Sequence, residues 1–154
     1  MTNIKNICVF YSHGPHFGRT LKKVRKDYPQ AQITAMVPPE FPAEALEGLA
    51  NRMVHTKDAS YSIKEPGKVM ALIKQIRRGN YDLFVTLFES PKLRILASRS
   101  GACERYCSSV DGRFFPLRGL LLNHILLQCW RNIKGRIRYR YICWVIRTQP
   151  IQKK

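Results

Sequence analysis

Residues 81–90 read YDLFVTLFES, an apolar run entered through Gly79-Asn80 and left through Ser90-Pro91. A short run rich in aromatic and β-branched types, bounded by turn residues, is the pattern of a strand buried on both faces. Just upstream, Pro66–Arg78 places Val69, Leu72, Ile73 and Ile76 on one helical face. Pro66 suits a first-turn position, and Gly79-Asn80 is a C-terminal stop. Just downstream, Pro91 opens KLRILASRSG, a second helix ended by Gly101. The same alternation runs through the first half of the chain. Ile4–Ser12 (IKNICVFYS) reads as a strand. Thr20 opens a helix carrying Leu21, Val24 and Tyr28, and Pro29 stops it. Gln32–Val37 is a strand closed by Pro38-Pro39, Pro42–Asn51 a short helix with Ala45, Leu46 and Leu49 inward, and Arg52–His55 a third strand. Ala102–Val110 supplies a further strand. Strands alternating with helices predict an α/β fold: a Rossmann-like, doubly wound, mostly parallel sheet. In it, Ile7–Tyr11 has Gln32–Val37 and Asp82–Leu87 among its neighbours.

The 154 residues suit one domain, and 45% apolar with 24% charged residues is a globular balance. A formal net charge of +17 directs the chain toward anionic partners: nucleic acid, phosphorylated ligands or an acidic membrane. Five cysteines, an odd number, with no basic-then-apolar leader ahead of them, point to a reducing, cytoplasmic setting. No apolar run is long enough to span a bilayer. The charge is unevenly placed. Residues 101–154 hold 11 basic and 2 acidic side chains, and no acid follows Asp111. This shift divides the chain near Gly112 into a Rossmann-like domain, residues 1–111, and a basic, aromatic, helical tail, residues 112–154.

The first strand-to-helix turn, residues 13–20, reads HGPHFGRT. In an open α/β sheet ligands bind at the carboxyl ends of the strands, which makes His13, Gly14, His16, Gly18, Arg19 and Thr20 candidate substrate contacts. Glycines admit close backbone approach, and a helix N-terminus attracts anions. The loop matches neither a Walker motif, lacking its lysine, nor G-x-G-x-x-G. The plainer reading is a tight turn with two turn histidines. Glu89, Ser90 and Lys92 close the run at residues 81–90 and project toward the same crevice. There Glu89 is the candidate general base and Ser90 and Lys92 are substrate contacts. Ser90 alternatively caps the helix that Pro91 begins. Cys103 and Cys107 are spaced C-x3-C without a second pair, so no metal site is expected. Cys8, Cys129 and Cys143 read as core residues, and no cofactor motif is present.

The stretches LKKVRKDYPQAQITAMV (residues 21–37), RRGNYDLFVTL (77–87) and LRILASRSGACERY (93–106) resemble the N-terminal, acceptor-side domain of GT-B glycosyltransferases, especially the heptosyltransferase-like group. The resemblance covers about residues 4–106. It implies a domain that holds a sugar acceptor in its crevice, often with a carboxylate as base, in lipopolysaccharide biosynthesis. Members of that group carry Gly-Asp in the first loop, where this chain has His13-Gly14 and then Phe17-Gly18, so no residue here inherits the base. GT-B enzymes bind the sugar nucleotide on a second Rossmann-like domain, for which 154 residues leave no room. The resemblance therefore implies half of an enzyme: a truncated or degenerate copy, an acceptor-binding subunit, or one part of a split transferase that works with a second glycosyltransferase subunit.

The tail then has a physical role. An apolar segment through Leu120–Leu127 and Trp130, flanked by Arg118, Arg131, Lys134 and Arg136, suits an anionic membrane surface or a lipid-linked acceptor. Each such cation contributes about 1 kcal/mol near anionic lipid. The expected location is cytoplasmic, peripheral to the inner face of the cell membrane. The alternatives are a nucleic-acid binder, since RNIKGRIRYRYICWVIR interleaves arginine with aromatics, and a partner-docking α/β module without catalysis. No RRM, KH, helix-turn-helix or zinc-finger pattern favours nucleic acid. The resemblance yields a first prediction: the purified chain alone transfers no sugar from any sugar nucleotide. Turnover above a protein-free control in a coupled nucleotide-release assay overturns it.

Overall fold

In the computed structural model, β1 (Asn6–Phe10), α1 (His16–Asp27), β2 (Gln32–Val37), a 3-10 turn (Ala43–Leu46), β3 (Arg52–His55), α2 (Pro66–Arg78), β4 (Leu83–Leu87), α3 (Pro91–Arg99), β5 (Glu104–Ser108), β6 (Phe114–Pro116) and α4 (Leu121–Thr148) follow in chain order. The structure describes residues 4–11, 16–58, 61, 65–88, 90–109, 111–117 and 121–148. Along α4 it describes the side chains of residue 130 and of residues 133–145.

The six strands form one sheet in the order β3-β2-β1-β4-β5-β6. β1 to β5 run parallel and β6 pairs antiparallel with β5. As the apolar runs predict, β1 sits between β2 and β4, with Ile7 opposite both Ile33 and Leu83. From Ile7 to Phe10 its residues are buried on both faces. Ile7 and Val9 pack with Phe17, Leu21 and Val24 of α1 and Leu46 of the 3-10 turn. Cys8 and Phe10 pack with Leu72, Ile73 and Ile76 of α2 and Leu96 and Ala97 of α3. Alternate residues of a strand point to opposite faces, so a central strand with helices on both sides has no polar position to spare. The crossover from β3 through α2 to β4 therefore changes faces, and the strand order reverses between β1 and β4. That reversal is the switch point of a doubly wound sheet.

Three local expectations are corrected. First, α1 begins at His16 rather than Thr20, so His16, Gly18 and Arg19 belong to its first turn. Phe17 is the cause: it is buried against Tyr11 and Phe41, with ring centroids 5.1 and 5.7 Å away, and this contact supports an extra helical turn. Second, the helix expected over Pro42–Asn51 is only the four-residue turn Ala43–Leu46, in which Leu46 is buried and Ala45 exposed. Pro42 is extended and Gly48 is left-handed, φ +72°, which leaves room for little more than one turn. Third, the tail expected to be helical over residues 112–154 opens with a strand: Phe114–Pro116 form β6 on the sheet edge. Gly112, at φ +74°, helps make the turn. Phe114 lies 6.4 Å from the Tyr106 ring with the Lys23 ammonium 5.3 Å from its face, and Pro116 is tolerated because it sits on an edge strand. The chain forms two compact units, residues 1–118 with the sheet and residues 119–154 with α4. The composition break near Gly112 thus precedes the last strand.

Asp82 ties the central strands together at their amino ends. Its carboxylate accepts the Lys5 and Asn6 amides at 2.8 and 2.9 Å, and its own amide donates to the Asn6 carbonyl at 2.8 Å. The Asn6 amide first, then that of Lys5, holds the Asp82 carboxyl below its ordinary 3.8. A lowered folded-state value means that the contribution is complete above the unfolded value and is lost as pH falls through the folded one. Asp82→Ala should cost about 1 kcal/mol at neutral pH, given the solvent exposure of the pair. In denaturant titrations the gap between parent and variant should shrink below pH 3.8. A gap independent of pH down to the acid limit counts against the carboxylate bonds.

Candidate functional site

The carboxyl ends of β1 and β4 border the switch point, and both stretches singled out in the sequence leave the sheet there. Residues 12–15 join β1 to α1, so His13 and Gly14 lie outside the described residues, as does Glu89, which follows β4. The described rim is built from the first turn of α1, the end of β4, the start of α3 and the end of β5. Tyr11, Phe17 and Phe41 pack edge to face at 5.1 to 5.7 Å and anchor α1 beside β1. His16 is half-buried, and its Nδ1 is buried with no hydrogen-bond partner among the described residues. Its ring stands edge-on to Phe88 at 6.3 Å.

Phe88 is the most constrained residue of this rim. It directly follows β4 at φ +66°, a left-handed conformation that is a real strain for a bulky side chain. Its amide donates to the Ser108 carbonyl at 3.2 Å, which holds the turned backbone against β5. Ser108 also meets α1: the Thr20 and Ser108 hydroxyls are 3.0 Å apart and both residues are buried. Sequence reading marks Thr20 but misses Ser108 and the turn at Phe88. Nothing in the order of residues shows that residues 88 apart in the chain bond to each other, nor that a phenylalanine will be left-handed.

The other candidates fall in distinct places. Arg19 and Lys92 are exposed on the first turns of α1 and α3. Gly18 is helical, and a Cβ there would meet nothing within 4 Å, so packing among the described residues does not require glycine. The Ser90 hydroxyl accepts the Leu93 amide at 3.2 Å as the cap of α3 and keeps its own proton free to donate. Arg118 lies outside the described residues. Trp130, Arg131, Lys134 and Arg136 are on α4, the Arg131 side chain being outside the described set.

Thiol chemistry is disfavoured at this end of the sheet. Burial pushes the Cys107 thiol up, only partly opposed by the neighbouring Thr86 hydroxyl and by Arg94, and burial raises Cys8 further. A protonated, buried thiol is a poor nucleophile. Cys8, Cys103, Cys107 and Cys143 are all free, and no group of three His, Cys, Asp or Glu side chains among the described residues is arranged to hold a metal.

The fold has counterparts among solved structures. The chain is similar to ADP-heptose LPS heptosyltransferase II of E. coli at 20% identity and a TM-score of 0.52, over 68% of this chain and 30% of that one. It is similar to a family 9 glycosyl transferase of Veillonella parvula at 18% identity and the same TM-score of 0.52, over 68% of this chain and 32% of that one. What is shared is the architecture of an α/β domain with a mostly parallel sheet. At these identities the likeness is one of fold, and the chain spans less than a third of either neighbour, 30% and 32%. No family model and no curated protein matches it.

The Thr20–Ser108 pair generates the second structural prediction. Thr20→Val should lower stability by about 1 kcal/mol, the usual worth of one such bond. A cycle with Ser108→Ala should show coupling of the same order by denaturant melts. Additive effects with no coupling mean that the two hydroxyls do not bond.

Proposed function

We propose that this chain is a glycosyltransferase-like acceptor-binding domain that needs a separate donor-binding domain for transfer and works at the anionic inner face of a cell membrane. The observation that carries the reading is the rim at the switch point. There the first turn of α1, a half-buried His16 whose Nδ1 has no partner among the described residues, and the strained turn after β4 come together in a fold shared with sugar-transferring enzymes. Strain of this kind persists where surrounding structure holds it, and it clusters at binding sites.

In this reading the residues divide their work by how they are held. His16 offers a ring nitrogen to an acceptor hydroxyl, and Arg19 and Lys92 meet its anionic substituents. Ser90 donates its remaining proton, while His13 and Gly14 complete the loop. Thr20 is buried and bonded to Ser108, so it positions α1 rather than touching the ligand. Glu89, next to the strained Phe88, is the base. Gly18 leaves the turn uncovered. The substrate class is a hydroxyl-bearing, phosphorylated sugar carried on lipid, as in lipopolysaccharide assembly. The likeness to a heptosyltransferase and the net charge of +17 both support that choice.

Calorimetric titration of the purified chain with a phosphorylated core oligosaccharide, and separately with a sugar nucleotide, tests the proposal. The oligosaccharide should bind, and His16→Ala with Arg19→Ala should weaken it by about tenfold or more, the loss of one to two polar contacts. The sugar nucleotide should not bind. The reverse preference, or oligosaccharide binding indifferent to both substitutions, overturns the reading.

A further inference from the structure

Along α4, Trp130, Ile133, Ile137, Tyr141 and Trp144 follow one another at steps of three, four, four and three residues, which puts them on one face of the helix. All five are solvent-exposed, from 52% for Ile133 to 63% for Ile137 and Tyr141. Lys134 and Arg138 line one side of this stripe and Arg136 and Arg140 the other, all four exposed. Tyr139 and Ile142 stand outside it.

We propose that α4 lies flat in an anionic lipid surface, with the stripe from Trp130 to Trp144 sunk among the acyl chains and the two cation rows at the headgroups. The assignment deepens the membrane-peripheral part of the proposed function and is independent of acceptor binding. Two constraints select this occupant. Lys134–Arg138 and Arg136–Arg140 are like-charge pairs four residues apart, which destabilise a helix left in water. Every acid of the chain lies at or before Asp111, so α4 contains no counter-charge of its own. The covering surface must therefore be anionic. It must also be apolar between the cation rows, because Ile133 and Ile137 occupy the middle of the stripe. A lipid interface offers both, with hydrocarbon a few ångströms beneath a plane of phosphates. Single-stranded nucleic acid would use the arginines and stack on the aromatics, but it would leave the two isoleucines uncovered. Spanning is not the arrangement: no helix among the described residues is long and apolar enough to cross a membrane.

The protein supplies its own probe, because its two tryptophans, Trp130 and Trp144, both lie on the stripe. The full chain is mixed with phosphatidylcholine vesicles, with vesicles that also contain phosphatidylglycerol, and with single-stranded RNA. On the anionic vesicles alone, tryptophan emission should shift to the blue and be quenched by brominated acyl chains. Replacing Lys134, Arg136, Arg138 and Arg140 by glutamine should weaken vesicle affinity by about a hundredfold or more, as the cation contributions are lost together. Ile133→Ser with Ile137→Ser should abolish the quenching while far-ultraviolet dichroism stays helical. Blue-shifted emission before lipid is added means that the stripe is already covered, and it overturns the proposal. RNA binding at equal affinity without lipid quenching assigns the helix to nucleic acid and also overturns it. Flotation with vesicles but without quenching removes α4 from the interface and leaves the membrane-peripheral reading standing. Failure to float removes both and does not bear on the acceptor titration.

Discussion

β1 has to be buried on both of its faces, and the arrangement of the body depends on that. Ile7, Cys8 and Val9 are fully buried and Phe10 nearly so, two of the four side chains serving each core. Burying one such side chain contributes about 1.5–3 kcal/mol, and only helices on both sides of the sheet can cover all four. α1 and the 3-10 turn cover one side, α2 and α3 the other. A chain that covers both faces of a central strand has to cross over once, and the strand order reverses between β1 and β4 as a result. The candidate site is a by-product of the packing problem.

The two ends of the sheet are held by polar pairs that join elements far apart in sequence. At the amino end, Asp82 grips the start of β1; at the carboxyl end, Thr20 and the Phe88 amide both bond to Ser108. The turn at Phe88 stores conformational strain, and its bond to β5 keeps it from relaxing to an extended form. A rim fixed in this way holds the start of α1 and the end of β4 against β5.

The two units of the chain solve different physical problems. The sheet unit contains acids and pairs some of its cations with them, for instance Lys68 with Glu65 at 3.0 Å and Lys23 with Asp27 at 3.6 Å. α4 has cations and aromatics and no acid of its own.

Periodicity and turn chemistry by themselves determined the α/β class, the parallel core with β2 and β4 beside β1, and the stop signals at Pro29, Gly79-Asn80 and Gly101. These are local consequences of backbone sterics and of which residues must leave water, so they are legible one residue after another. The concentration of positive charge after Asp111 was legible for the same reason. Sequence order could not show where α1 begins, because Phe17 becomes helical only once Tyr11 and Phe41 are there to bury it. Nor could it show that Phe114–Pro116 would close the sheet edge, or that Phe88 would turn left-handed against Ser108. The placement of five apolar side chains on one exposed face of α4 was latent in their spacing, but their exposure was not. Each of these depends on contacts between residues distant along the chain, and only the folded backbone brings such residues together.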